Sequence, residues 1–221
     1  MKKLFWLTVF CLCSNVFAQN NTQKYPLQVG FGLSGVAYVG DLTNSTTRFQ
    51  RVNPGANLSL QLATPRLLDL QVNGGFGKFS EQVDDGGGVL EPANSFVETQ
   101  FFYGDLRLKL RFLKEKNIQP YLSAGAGIIV FAPRDVNGKH LTRNQSTRNE
   151  EEKYNTAIPQ LPVVVGWQMI LNQTLMVSMD YTYRFTPTDY LDNIGQLGPR
   201  KGFDVLHALQ ISLYFTLNQG K

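Results

Sequence analysis

The chain has 221 residues and only two cysteines, Cys11 and Cys13, both within the opening stretch MKKLFWLTVFCLCSNVFAQNN. Lys2 and Lys3 start that stretch, Leu4 to Leu12 form its apolar run, and Val16-Phe17-Ala18 supplies a small-x-small cleavage site. A run of about nine apolar residues cannot cross a bilayer as a helix, which takes about 20. Residues 1–18 are therefore expected to be a cleaved export signal and 19–221 the mature domain. Leu12 stands where lipidation of Cys13 would need a small residue. Cleavage after Ala18 leaves a mature chain without a thiol, which excludes disulfides, cysteine nucleophiles and Cys-ligated metals.

Other absences narrow the function. No long apolar run follows the signal and the mean hydropathy is −0.18, so a helical membrane protein is excluded. The formal charge is +4, and losing Lys2 and Lys3 leaves +2. No basic stripe with interleaved aromatics occurs, so no nucleic-acid partner is expected. There are two histidines, His140 and His207. A lipid A deacylase pattern needs a Ser two residues after the His, where this chain has Leu209, and Ser212 falls on the opposite face of the strand. Gly86-Gly87-Gly88 precedes neither a helix nor a lysine at P-loop spacing. No catalytic residue, cofactor or metal site is expected, and the chain is read as a non-enzyme.

What the chain does contain is alternation. In LMVSMDYTYRF (175–185), Leu175, Val177, Met179, Tyr181, Tyr183 and Phe185 share one face of a strand, and Asp180 and Arg184 lie on the other. Seven more segments behave alike: 27–33, 57–63, 68–76, 104–112, 120–131, 160–169 and 207–217. In GDLRLKLRF (104–112) every second residue is Leu or Phe, while Asp105, Arg107, Lys109 and Arg111 fill the alternate places. No apolar face carries a charge. Strands of about ten residues suit a tilted bilayer crossing. Phe112, Tyr121, Phe131, Phe185, Phe203 and Phe215 near the segment ends suggest interfacial girdles.

The connections sort by length. Those at 64–66, 113–119 and 171–174 are short; those at about 41–54, 78–95, 132–157 and 187–202 are long, and the two kinds alternate. This is the pattern of short periplasmic turns and long outer loops. The expected fold is all-β: an eight-stranded antiparallel transmembrane up-and-down barrel of OmpA/OmpX size, in the bacterial outer membrane with lipid and lipopolysaccharide around it.

An eight-stranded interior admits side chains or one small ligand. Asp69, Glu98, Asp105, Arg107, Lys109, Arg111, Asp180 and Arg184 are expected to point inward as an ion-paired plug. At the outer rim, VAYVGDLT (36–43), TPTDYLDNIG (186–195) and RKGFD (200–204) should meet, since strand eight lies between strands one and seven. That brings Asp41, Asp189, Asp192 and Asp204 near Tyr38 and Tyr190 as a candidate docking patch. Turn chemistry accounts for the same Asp and Gly residues. Calcium would accept such ligands, though no EF-type spacing is present.

YVGDL (38–42), QPYLSAGAGIIVFAPRD (119–135), KYNTAIPQLPVVVGWQM (153–169) and FTPTDYLDNI (185–194) resemble the Bacteroidota outer-membrane β-barrel family that includes PorG-like proteins. Asn193 departs from a usual acidic residue, and RNQSTRNEEEKY (143–154) matches the family's third outer loop only loosely. The resemblance implies an accessory or structural part in type IX secretion and gliding machinery, with periplasmic secretion-ring lipoproteins as partners. An outer-surface binding protein or adhesin working through its long loops is the alternative, and a lipid-modifying enzyme the weakest reading.

Overall fold

The computed structural model describes residues 26–40, 51–64, 67–82, 96–113, 115–143, 154–194 and 203–217. The expected signal peptide, residues 1–18, lies outside them. Eight strands follow in chain order: β1 (Leu27–Val39), β2 (Asn53–Leu62), β3 (Leu68–Gln82), β4 (Phe96–Arg111), β5 (Ile118–Arg134), β6 (Ala157–Ile170), β7 (Leu175–Phe185) and β8 (Val205–Leu217). Each pairs antiparallel with its neighbours in sequence, and β1 pairs with β8 from Leu27↔Leu217 to Val39↔Val205. The sheet is a closed barrel. Closure satisfies the backbone of every strand from within the sheet, as a chain in hydrocarbon requires.

Local chemistry sets the short turns. Between β6 and β7, Asn172 Oδ1 accepts the N–H groups of Thr174 and Leu175, so one side chain folds the turn. Between β4 and β5, Leu113 takes a left-handed φ of 51° and its carbonyl accepts the Lys116 N–H.

The alternation becomes two surfaces. Leu58, Leu108 and Ile211 stay more than half exposed on the outside, where lipid would meet them, while Ser59, Lys109 and Ser212 are buried inside. Several strands run further outward than their sequence segments. β3, β4 and β5 have 15, 16 and 17 residues, against 10 for β2 and 11 for β7. Their added outer ends change character: the outward face turns polar at Lys78, Gln100 and Glu98, while Phe79, Phe101, Ile129 and Phe131 turn inward and are buried.

The register of β5 corrects the aromatic-girdle expectation in two places. Phe131 and Tyr121 share the inward register of β5 with Ser123 and Ile129, so neither reaches the membrane interface. Phe112, Phe203 and Phe215 are exposed on the outside. The interior thus has two storeys: a charged lower half and an apolar upper half formed by Val36, Tyr38, Phe79, Phe101, Phe131 and Leu206 with their neighbours.

Candidate functional site at the outer mouth

The lower storey is a connected set of ion pairs. Arg111 lies 2.5 Å from Asp69 through Nε and donates to it again through Nη2 at 2.7 Å. Gln61 donates to the same carboxylate at 2.9 Å. Lys109 donates to Gln61 at 3.2 Å and to Gln168 at 2.7 Å, and its ammonium sits 3.9 Å from the centre of the Tyr121 ring. Tyr121 donates its hydroxyl hydrogen to Asp180 at 2.8 Å. One tier up, Asp105 faces Arg107 Nε at 2.6 Å and accepts from Arg184 Nη1 at 3.0 Å, and Asn73 donates to it at 3.1 Å. Arg184 also donates to Gln160 at 2.6 Å and lies over the Tyr103 ring.

Seven of the eight residues expected in this plug are inside. Glu98 is the correction. β3 and β4 pair without interruption from Leu68↔Leu110 to Gln82↔Phe96, so no bulge shifts the register and position 98 keeps the outward face of Leu106 and Leu108. There Glu98 pairs with Lys78 at 3.2 Å, in reach of solvent. The ion-paired storey is left with four cations and three carboxylates among the described residues.

Above the ion pairs, the connection after β7 turns back into the barrel. Thr186 Oγ1 donates to the Asp204 carbonyl at 2.6 Å, and Asp204 N–H returns a bond to the Thr188 carbonyl at 2.8 Å. The chain then drops Leu191 into the apolar storey, where it is fully buried. Thr99 on β4 donates to the Leu191 carbonyl at 2.7 Å. Ile194 packs against Val97 and Leu141. Asn193 makes the bend with φ of 64°, a left-handed conformation that Asn and Asp adopt more readily than other side chains.

Three rim residues come together beneath this plug. Tyr38 Oη is 2.5 Å from Asp204 Oδ1 and 2.8 Å from Asp192 Oδ2. The outer oxygens of both carboxyls accept backbone N–H groups, Leu191 to Asp204 at 2.8 Å and Ile194 to Asp192 at 2.9 Å. The Tyr38 ring stacks on Phe79 with centroids 4.3 Å apart. Gly40 is required by the closeness of the approach, because a Cβ there would overlap both Tyr38 Oη and the Asp204 carboxyl. Burial, then the Asp192 charge, pushes the Asp204 carboxyl well above the usual carboxylate range.

The candidate docking patch is therefore corrected. Tyr38, Asp192 and Asp204 are each 1% exposed, so they hold the plug and offer nothing to a partner. Asp189 is part-buried at their edge, and Tyr190 packs edge-on to Tyr154 at 5.5 Å. Asp41 lies outside the described residues. Sequence reasoning missed Thr99, Phe79 and Leu191; the only signal for the first two was the two-residue parity of β3 and β4 carried further outward. On the outer wall, His207 touches the Tyr181 hydroxyl through Nδ1 and meets Tyr183 edge-on at 5.3 Å.

The fold is shared with a solved outer-membrane protein. Neisserial surface protein A superposes with a TM-score of 0.56 at 12% identity, over 86% of this chain and 97% of that one. OprG of Pseudomonas aeruginosa gives 0.48 at 10% identity, over 89% and 97%. Ail of Yersinia pestis, solved with the heparin analogue sucrose octasulfate, gives 0.46 at 12%, over 87% and 97%. At 12% identity the likeness to neisserial surface protein A is one of fold alone. None of the curated proteins compared matches the chain in sequence. The model of the outer membrane protein beta-barrel domain matches residues 4–214, and with that span and this closed eight-stranded sheet the chain belongs to the outer membrane β-barrel domain family and resides in the outer membrane.

Proposed function

We propose that this barrel is a non-enzymatic, PorG-like accessory or structural component of protein secretion or gliding machinery. The observation that carries the reading is the filled interior: ion pairs occupy the lower storey and residues 186–194 close the upper one. A barrel so filled acts through its surfaces. The stretch that closes the mouth, FTPTDYLDNI, is also the most specific part of the PorG-like resemblance, which supports a role that depends on a closed barrel. Its partners on this reading are periplasmic secretion-ring lipoproteins, met at the short connections 64–66, 113–119 and 171–174.

The test is a mild detergent extraction of tagged protein from its own outer membrane, followed by mass spectrometry of what co-purifies. Secretion-ring lipoproteins in stoichiometric amount are the expected result. Recovery of the barrel alone would overturn the secretion role and move attention to surface binding through the outer loops.

A further inference from the structure

We infer that residues 186–194 form a proton-latched plug: the segment seats in the outer mouth while Tyr38, Asp192 and Asp204 together hold one proton more than they hold in water, and it lets go when that proton is lost. This inference is independent of the secretion role.

A tyrosine hydroxyl has one hydrogen to donate and lone pairs to accept with. Tyr38 Oη has two carboxyl oxygens within bonding distance, Asp204 Oδ1 at 2.5 Å and Asp192 Oδ2 at 2.8 Å. It can donate to one of them. The second contact is attractive only if that carboxyl is itself protonated and donates to Oη; otherwise lone pairs oppose each other in a buried site. Swapping oxygens does not avoid this, because the remaining oxygen of each carboxyl is occupied by a backbone N–H of the plug. The closed mouth therefore holds one neutral carboxylic acid, wedged between a carboxylate and a phenol.

The charges acting most strongly on Asp204 are Asp192 and Asp189 of the same connection, both negative. Tyr38 reaches it from β1, and Glu81 is a further buried carboxyl on the inward row of β3, one step beyond Phe79. Tyr190 and Tyr154 are further titratable groups near this level, and Arg51 stands just beyond the outer end of β2, whose Asn53 pairs with Val36.

A carboxyl with a raised value in the closed state favours closure fully below its ordinary value of about 4 and loses that contribution as pH rises through the raised value. Between the two, the ratio of seated to released plug falls about tenfold per pH unit for one proton. Release would uncover Phe79, Phe101 and Leu206 and open the apolar storey down to Arg184.

Beyond residue 18 the chain has no cysteine, so Pro187→Cys, at an exposed position of the plug, gives a single site for a nitroxide. Proline carries no backbone N–H, so this replacement removes no hydrogen bond. The mobility of the label would be read by electron paramagnetic resonance from pH 4 to 10, with the barrel in phospholipid nanodiscs. The expected result is an immobile label at acid pH that becomes mobile along a one-proton curve. Asp204→Asn keeps the bond from Leu191 and supplies a permanent donor to Tyr38, so it should hold the label immobile at every pH tested. Heat-modifiable migration on a gel reports whether each variant folds. Should Asp204→Asn not fold, Asp192→Asn makes the same substitution from the other side. A wild-type label whose mobility is flat over the range, or a folded Asn variant that keeps the wild-type curve, would overturn the latch.

Discussion

Asp105 is the residue on which the upper ion-pair tier depends. It faces both Arg107 and Arg184, and its side chain is closed to solvent. Replacing it with alanine leaves two buried guanidiniums uncompensated, which costs about 3–5 kcal/mol for a buried pair broken from one side. Urea unfolding of the bilayer-inserted barrel, followed by fluorescence of Trp167, measures the loss; Trp167 is the one tryptophan beyond the expected signal. Glu98→Ala is the matching control. Its pair with Lys78 is partly exposed, so the same experiment should show a change of at most about 1 kcal/mol. A large effect at Glu98 or a small one at Asp105 would contradict the assignment of inside and outside. This pair of carboxylates also marks what was legible. Asp105 sits amid strict alternation and its direction could be read directly. Glu98 precedes a stretch, TQFFY, in which apolar and polar residues do not alternate, so parity had to be carried through Gln100, Phe101 and Phe102 without help from the residue types.

The connection from β7 to β8 behaves as a piece of core. Its hold is hydrophobic through Leu191 and polar through Thr99, Thr186 and the two carboxyls. Leu191→Ala removes a fully buried side chain, for which about 2–5 kcal/mol is the usual cost. Here the loss should fall on seating of the plug rather than on the sheet. Amide exchange resolved by mass spectrometry should rise in peptides covering 186–194 and stay unchanged in β7 and β8. Sequence reasoning placed these three stretches at one rim through barrel closure, and that juxtaposition of Tyr38, Asp192 and Asp204 is what the structure contains. It could not give depth. Whether an Asp-rich loop stands in water or folds into the mouth depends on the apolar inner face of β3, β4 and β5, and those strands continue beyond the segments whose alternation is visible.

Taken together, the two storeys seal the barrel by different means, charge pairing below and apolar packing above. Planar-bilayer recordings of the purified barrel at acid to neutral pH should therefore show no steady conductance step. A reproducible open level in the wild type would mean that both storeys are breached. Closure of the sheet, the count of strands and the order of turns and loops were all legible, because lipid outside and protein inside impose a rule at every second residue. The upper storey was not, because there the outward face becomes polar and the inward face apolar, which reverses that rule.

The unequal strand lengths give the molecule a direction within the membrane plane. β3, β4 and β5 stand as a tall parapet on one flank, and β7, β8 and β1 are shorter on the other. Among the described strands, anything travelling along the outer leaflet would meet a polar wall from one side and a low sill from the opposite side. Two copies turned to different bearings would thus present different heights to a common neighbour. A barrel usually drawn as a cylinder has, in this case, a compass heading.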